Sequence, residues 1–185
     1  MAYDKRSFLK DVVLLVDTRE QENTHILQEL DRLQIQYKRQ KMDFGDYSFA
    51  IGGRDFSLSC IVERKASVDE FYGNIVRDRE RIEKEFYAAN QIANQFILLL
   101  EGCTTMEALK TYRLPDWKMQ AQKRKIQDIG EYCYATIKSW QSGNRYSFRT
   151  LFVSDLSQSA ITILEEFYYY WRNYKMITAS RRNRM

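Results

Sequence analysis

The feature that most constrains the fold is a charged segment, Glu63 to Asp69, which directly follows an apolar alternating segment, residues 56–62. Alternation of this kind is typical of a β-strand, in which side chains two residues apart share a face. Glu63 and Lys65 are therefore expected on the same face. The pattern predicts a sheet with an acid and a base side by side at the end of a buried strand.

A second alternating segment lies upstream of a glycine pair, and the two segments together predict a β-hairpin. We expect the two-residue loop of this hairpin at Gly53-Arg54. Such a loop sets Asp46 opposite Ile61 and diagonal to Glu63, with roughly 7–8 Å between the backbones. Both carboxylates then share one face, because the register of a hairpin decides which side chains point the same way.

Further acids precede the hairpin in two short motifs. Asp17 and Glu20 delimit an Asp-Thr-Arg-Glu segment, and Asp46 lies in a Gly-Asp-Tyr segment. Acids that converge beside a lysine suit metal-assisted hydrolysis of a phosphodiester bond. The carboxylates would hold Mg²⁺ or Mn²⁺, while the ammonium would orient the attacking water or offset the charge of the phosphate.

The chain thus contains three motifs in order: Asp17 to Glu20, Gly45 to Tyr47, and Glu63 to Asp69. This series resembles the nuclease domain of the XPF/Mus81 family, a branch of the restriction-endonuclease-like PD-(D/E)XK superfamily. The resemblance runs from about Val12 to Leu100 and continues towards the last predicted helix. Eukaryotic and archaeal members usually carry a tandem helix-hairpin-helix module, and nothing in this sequence resembles one. The chain looks closer to short stand-alone bacterial or phage members.

The resemblance assigns roles to individual residues. Asp46, Glu63 and Asp17 match metal-ligating acids, Lys65 matches the catalytic lysine, and Glu20 matches an acid at or near the catalytic centre.

Four further residues receive supporting roles from the same comparison. Arg64 and Arg79 are expected to contact the phosphate of the substrate, while Asp69 and Arg19 are expected to order the site through ion pairs.

Composition is compatible with this interpretation. The chain has 185 residues, which suits a single domain, and its formal charge of +4 permits nucleic-acid binding without requiring it. The odd count of three cysteines argues against a disulfide framework, and the single histidine argues against zinc chemistry. We expect an intracellular, cytoplasmic protein of bacterial or phage origin. No apolar run is long enough to span a bilayer, so no membrane partner is expected.

The alternation of strand-like and helical segments predicts an α/β fold, with a mixed central β-sheet covered by helices on both faces. We expect an N-terminal extension over residues 1–10, a nuclease domain over 11–176 and a flexible basic tail over 177–185. A long helix after Pro115 is predicted to direct a series of apolar residues inward, namely Ile126, Ile129, Cys133, Ile137 and Trp140. The basic residues before this series, Lys118, Lys123, Arg124 and Lys125, are expected to form a solvated face.

The sequence therefore predicts an endonuclease that uses Mg²⁺ or Mn²⁺ and acts on branched, flapped or forked DNA. A junction-resolving or restriction-type nuclease on the same fold is one alternative, and a catalytically idle DNA-binding or scaffold subunit is another. DNA is the expected partner, and the sequence leaves open whether the protein also forms a homodimer.

Overall fold

The computed structural model describes residues 4–122 and 126–182, in which the chain forms eight α-helices and seven β-strands. The strands are β1 (Val12–Asp17), β2 (Gln36–Gln40), β3 (Tyr47–Ile51), β4 (Arg54–Asp55), β5 (Cys60–Lys65), β6 (Gln95–Glu101) and β7 (Arg149–Val153). The α-helices are α1 (Lys5–Asp11), α2 (Thr24–Arg32), α3 (Val68–Arg77), α4 (Arg79–Ile92), α5 (Met106–Lys110), α6 (Asp116–Gln122), α7 (Ile129–Gln141) and α8 (Ser159–Arg182). Lys123, Arg124 and Lys125 of the predicted solvated face lie outside the described residues.

The chain divides into two compact units, and the boundary falls within β5, after Val62. The first unit contains the strand order β2-β1-β3-β5, with β4 paired to β3. Strand β1 runs parallel to β2 and antiparallel to β3, in a register that pairs Val16 with Tyr47. The carboxyl end of β1 therefore lies beside the start of β3.

An aromatic cluster forms much of the core of the first unit. The rings of Phe49 and Phe167 stack with centroids 4.9 Å apart, and Phe8 packs edge-on against Phe49 and Tyr168. Phe8 belongs to α1 and has no exposed surface. The residues predicted as an N-terminal extension thus include a helix that is packed into the core.

The second unit contains the strand order β5-β6-β7, and β6 runs parallel to β7 with Leu99 opposite Leu151. Consecutive residues of β6 from Phe96 onward are buried, which means that both faces of this strand are covered. Because β5 runs through both units, the described strands belong to one mixed sheet. The predicted α/β fold class with a mixed central sheet is confirmed.

The hairpin differs from the prediction in its turn. Its loop is Gly52-Gly53 rather than Gly53-Arg54, and Ile51 pairs with Arg54. Gly52 and Gly53 both have positive φ, as a tight hairpin turn with two such positions requires, whereas arginine rarely adopts that conformation. A further turn at Phe56 accepts two backbone hydrogen bonds, from Ser59 and Cys60, before β5 begins. As a result, Tyr47 of β3 pairs with Val62 of β5. The predicted register, with Asp46 opposite Ile61, was therefore wrong.

The long helix predicted after Pro115 was also wrong, since α6 and α7 are separate helices. Ile129, at the start of α7, is fully buried, but Ile126 lies before α7 with 57% of its surface exposed. The spacing of the apolar residues continues through a segment that is not helical at residues 126–128. Periodicity alone therefore overestimated the helix.

Helix α8 extends over 24 residues, and its end lies within the predicted tail, since residues 177–182 are helical. From the sequence, Leu156, Ala160, Ile163, Phe167 and Trp171 are expected to face inward. The last four are buried, but Leu156 lies before α8 and is 45% exposed, so the prediction for Leu156 was wrong. Within the described part of the chain, neither α8 nor any other helix combines the length and apolar character that crossing a membrane requires.

Candidate active site

Asp17, the last residue of β1, has a fully buried carboxylate whose two oxygens both accept hydrogen bonds. Oδ1 accepts from the Arg19 backbone N–H and from Arg19 Nε, each at 2.7 Å. Oδ2 accepts from the Met42 backbone N–H at 2.6 Å and from Arg19 Nη2 at 3.2 Å. Burial on its own raises the pKa of Asp17, but these hydrogen bonds outweigh it and hold the pKa below its usual value.

This arrangement ties two loops to the end of β1. Arg19 Nη2 also donates to the Met42 carbonyl at 3.0 Å, so the guanidinium and Asp17 together join residues 17–19 to the segment before β3. The expected ordering role of Arg19 at the site stays a prediction. Metal ligation by Asp17 also stays a prediction. A cation at this carboxylate would have to replace several short hydrogen bonds.

Glu20 lies in the same loop and contacts the strand that follows Asp46. The Tyr47 hydroxyl donates to Glu20 Oε1 at 3.2 Å, and Arg39 Nη1 donates to the Glu20 carbonyl at 2.8 Å. Glu20 therefore links the loop after β1 to β3 and to β2. Its expected role in catalysis stays a prediction.

The backbone of Asp46 is fixed on both sides within the first unit. Its N–H donates to the Val62 carbonyl at 2.8 Å, and its carbonyl accepts from the Asp17 N–H at 2.8 Å. Gly45, just before it, has a φ of +67°, and a Cβ there would lie 2.3 Å from Ile61 Cγ2. Glycine is thus required at position 45 for the chain to approach β5 closely at Asp46.

Glu63 and Lys65, at the end of β5, form an ion pair with 2.8 Å between Lys65 Nζ and Glu63 Oε1. This contact confirms that both side chains lie on one face of the strand. Their side chains are 16% and 10% exposed, respectively, so the pair is partly shielded from solvent. A lysine held in this way offers a fixed positive charge beside a carboxylate.

Arg64 lies between them in sequence but points to the opposite face of β5. Its guanidinium is 2.6 Å from Glu101 Oε2, at the end of β6, and the two side chains are 4% and 0% exposed. This is a buried ion pair that joins two strands of the second unit. A structural role suits the position of Arg64, and its expected phosphate contact stays a prediction.

Asp69 occupies the first turn of α3, where a carboxylate interacts favourably with the helix dipole. The Ser67 hydroxyl caps the helix by accepting from the Glu70 N–H at 3.0 Å. The buried Asp69 carboxylate lies 4.0 Å from Lys118 Nζ. The expected ordering role of Asp69 stays a prediction.

Arg79, at the start of α4, belongs to an ion-pair network around Glu83. Arg79 Nε and Trp140 Nε1 both donate to Glu83 Oε1, at 2.9 and 3.1 Å, while Arg145 Nη2 donates to Oε2 at 2.6 Å. Burial alone raises the pKa of Glu83, but these donors outweigh it and lower the pKa. The Arg79 side chain is 40% exposed, and its expected contact with phosphate stays a prediction.

Two residues that position the candidate site, Met42 and Glu101, were not predicted from the sequence. Met42 holds Asp17 through its backbone, which no side-chain pattern reveals. Glu101 did carry a signal, because a charged residue that directly ends a buried strand needs a partner. Its partner, Arg64, lies on another strand, and only the sheet topology brings the two together.

The donors available for a metal in this part of the chain are carboxylate oxygens, which suit Mg²⁺ and Mn²⁺. In residues 4–122 and 126–182, no three side chains of His, Cys, Asp or Glu are grouped as a complete protein site. Mg²⁺ does not need such a group, since it is usually bound through one or two carboxylates together with water and substrate phosphate. Glu63 offers a carboxylate of this kind in the second unit, and metal ligation by Asp46 in the first unit stays a prediction.

Comparisons with known proteins agree with this architecture. XPF from Aeropyrum pernix matches with a TM-score of 0.60 at 20% sequence identity, over 85% of this chain and 60% of that chain. A structure of XPF from Aeropyrum pernix in complex with DNA matches with a TM-score of 0.58 at 19% identity, over 87% and 66% of the two chains. The chain thus spans less than two thirds of these proteins.

A search of curated proteins found no match. The model of one family, described as the ERCC4 domain, matches residues 16–165, a range that contains all the residues discussed above as site candidates. Since this range covers most of the 185 residues, the chain belongs to the ERCC4 domain family.

Proposed function

We propose that this protein is an endonuclease that hydrolyses DNA phosphodiester bonds with Mg²⁺ or Mn²⁺. The observation that carries the proposal is the Glu63–Lys65 ion pair, which holds an ammonium group on the same strand face as a carboxylate. Membership of the ERCC4 domain family and the fold of XPF from Aeropyrum pernix support the same activity.

Each residue would contribute a separate function. Lys65 would offset the negative charge of the reacting phosphate or hold the attacking water, and Glu63 would fix the position of its ammonium. Glu63 and Asp46 would supply carboxylate oxygens to the cation. When bound, the cation would polarise the phosphoryl group as a Lewis acid. Glu20, Asp17 and Arg19 would support this side of the site by ordering the loop after β1.

We further propose that branched, flapped or forked DNA is the preferred substrate. The formal charge of +4 is modest, and the family resemblance gives none of the candidate site residues a role in reading bases. Phosphate contacts should therefore provide most of the affinity, which makes binding dependent on salt and weakly dependent on sequence. Selectivity would then have to come from the shape of the DNA. The sequence leaves a homodimer open, and sedimentation velocity would measure the oligomeric state.

The test is a cleavage panel of labelled single-stranded, duplex, flap, fork and four-way DNA, each incubated with Mg²⁺, Mn²⁺ or EDTA. Asp46→Asn, Glu63→Gln and Lys65→Ala should each lower the cleavage rate by about 100-fold or more, the scale observed when one electrostatic catalytic group is removed. Asp43→Asn is the matched control, because Asp43 is an exposed acid three residues before Asp46. Circular dichroism should show that all four variants remain folded.

The outcomes separate the alternatives. Near wild-type cleavage by Asp46→Asn, or full activity in EDTA, would refute the proposed chemistry. Cutting at one defined duplex sequence would favour the restriction-type alternative, and preference for four-way DNA would favour a junction-resolving enzyme. Binding of DNA by the wild-type protein without any cleavage would favour the idle DNA-binding subunit.

A further inference from the structure

Helix α6 lies in the segment of the chain between Leu114 and Gln127, which is called the excursion below. The Leu114 N–H donates to the Gln127 carbonyl at 2.9 Å, and Gln127 Nε2 donates to the Leu114 carbonyl at 3.1 Å. Beside them, Arg113 Nε lies 2.7 Å from Asp128 Oδ1. These contacts tie the two ends of the excursion together, so it leaves and rejoins the second unit at one place.

The base of the excursion is anchored between α5 and α7. Gly130, in the first turn of α7, donates its N–H to the Tyr112 carbonyl at 3.1 Å. A Cβ at position 130 would lie only 2.1 Å from the Leu109 carbonyl oxygen. Glycine therefore permits direct backbone contact between α7 and the end of α5, which fixes the direction in which the excursion leaves.

Trp117 on α6 is 65% exposed, whereas Trp140 and Trp171 are 0% and 9% exposed. Lys118 Nζ lies 5.5 Å from the centroid of the Trp117 ring. The neighbouring Asp116 and Gln120 are polar and exposed, so polar side chains flank the ring on this helix.

An isolated aromatic ring beside a cation matches the elements that bind single-stranded nucleic acid, where bases stack on rings and basic groups follow the backbone. The position of α6 agrees with this use. Lys118 Nζ is 4.0 Å from Asp69 Oδ2, and Asp69 lies in the helix turn that begins soon after Lys65. Lys65, at the end of β5, and α6 are thus connected through α3 in the second unit.

We propose that Trp117 is a stacking platform for an unpaired base of a DNA strand, and that Lys118 contacts a neighbouring phosphate. The proposal rests on the proposed nuclease function and adds a specificity-determining residue to it. Bases inside a duplex are already stacked, so this contact selects DNA with a single-stranded segment. A flap or fork offers such a segment next to the phosphate to be cut.

The experiment measures binding without cleavage, by titrating the full chain in EDTA at low salt with a dT oligonucleotide and with a duplex of equal length. Since the other two tryptophans are buried, stacking on Trp117 should quench the exposed part of the tryptophan fluorescence. Trp117→Ala should weaken binding of the single strand by about 5- to 150-fold, the range for loss of one stacked base, and should leave duplex binding unchanged. Trp117→Phe should retain most of the affinity, because a ring remains, but should lose the quenching.

Tyr87→Ala is the control, because Tyr87 is 60% exposed in the same unit and has no part in the proposed contact. Unchanged binding of the single strand by Trp117→Ala, absence of quenching, or equal loss of single-strand and duplex binding would overturn the proposal. So would failure of the wild-type protein to bind the oligonucleotide at all. If the wild-type protein cuts no DNA with Mg²⁺ or Mn²⁺ but is still quenched through Trp117, the nuclease proposal fails while the stacking inference stands.

Discussion

The buried ion pair between Arg64 and Glu101 offers a quantitative test of the structure. The two charges are 2.6 Å apart, and their side chains are 4% and 0% exposed. Glu101→Gln keeps the shape but removes the negative charge, so the guanidinium loses its anionic partner away from water. Breaking a pair in this setting costs about 3–5 kcal/mol, because the buried guanidinium loses a charged partner that water cannot replace. That is a large share of the roughly 5–15 kcal/mol by which a typical domain is stable.

Urea unfolding, followed by circular dichroism, measures this cost. With a slope of about 2–3 kcal/mol per M, the midpoint should fall by roughly 1–2.5 M. Replacing both partners, as in Arg64→Met with Glu101→Leu, should recover most of the loss, because no charge is then buried. Glu80→Gln is the matched control, since the Glu80–Lys84 pair is 88% and 76% exposed and should leave the midpoint unchanged.

The reasoning would be refuted if Glu101→Gln shifted the free energy of unfolding by less than about 1 kcal/mol, well below the range for a broken buried pair. A second result would also contradict it. If Arg64→Met weakened DNA binding strongly but left the unfolding midpoint unchanged, Arg64 would be a phosphate contact, as the family resemblance implies, and not a structural residue.

Two further predictions concern the region around Asp17 and Asp46. Asp17→Asn should destabilise the protein at pH 7 by about 2–3 kcal/mol, because an amide cannot accept all the hydrogen bonds that the carboxylate accepts. The pKa of Asp17 is lower in the folded protein than in the unfolded chain. The stabilisation is therefore fully present above the ordinary pKa near 4 and is lost as the pH falls through the folded pKa. The urea midpoints of the variant and the wild type should converge in acid. Gly45→Ala should cost about 2–4 kcal/mol, from a non-glycine residue at positive φ and from the clash with Ile61, and an unchanged thermal midpoint would contradict the φ of +67°.

The parts of the structure that depend on neighbouring residues in the chain could be predicted from the sequence. The contact between Glu63 and Lys65 follows from the two-residue repeat of a strand, which is purely local. The buried strand β6 follows in the same way from a continuous apolar run between polar residues. Both predictions needed no knowledge of which strands are neighbours in the sheet.

The parts that depend on register and topology could not be predicted so well. The hairpin sequence contains Gly52, Gly53 and Arg54. Because the tight turn needs two residues with positive φ, the loop forms at Gly52-Gly53 and not at Gly53-Arg54. The extra turn at Phe56 then changes the pairing between β3 and β5. Arg64 and Glu101 form an ion pair because β5 and β6 are neighbours in the sheet. The sequence of neither strand predicts that they are neighbours.

The three acids expected to bind metal differ in how readily they could do so. Asp17 is fully buried, and a cation would have to displace hydrogen bonds as short as 2.6 Å from groups that also order two loops. Glu63 keeps a partly exposed carboxylate whose Oε1 is bound to Lys65, and the backbone of Asp46 is fixed by two hydrogen bonds. Because a ligand must exchange its existing contacts for the metal, Glu63 is a better candidate than Asp17. We therefore expect Asp17→Asn to reduce stability first, with any loss of cleavage following from the disordered loop, whereas Glu63→Gln should reduce cleavage in a protein that remains folded.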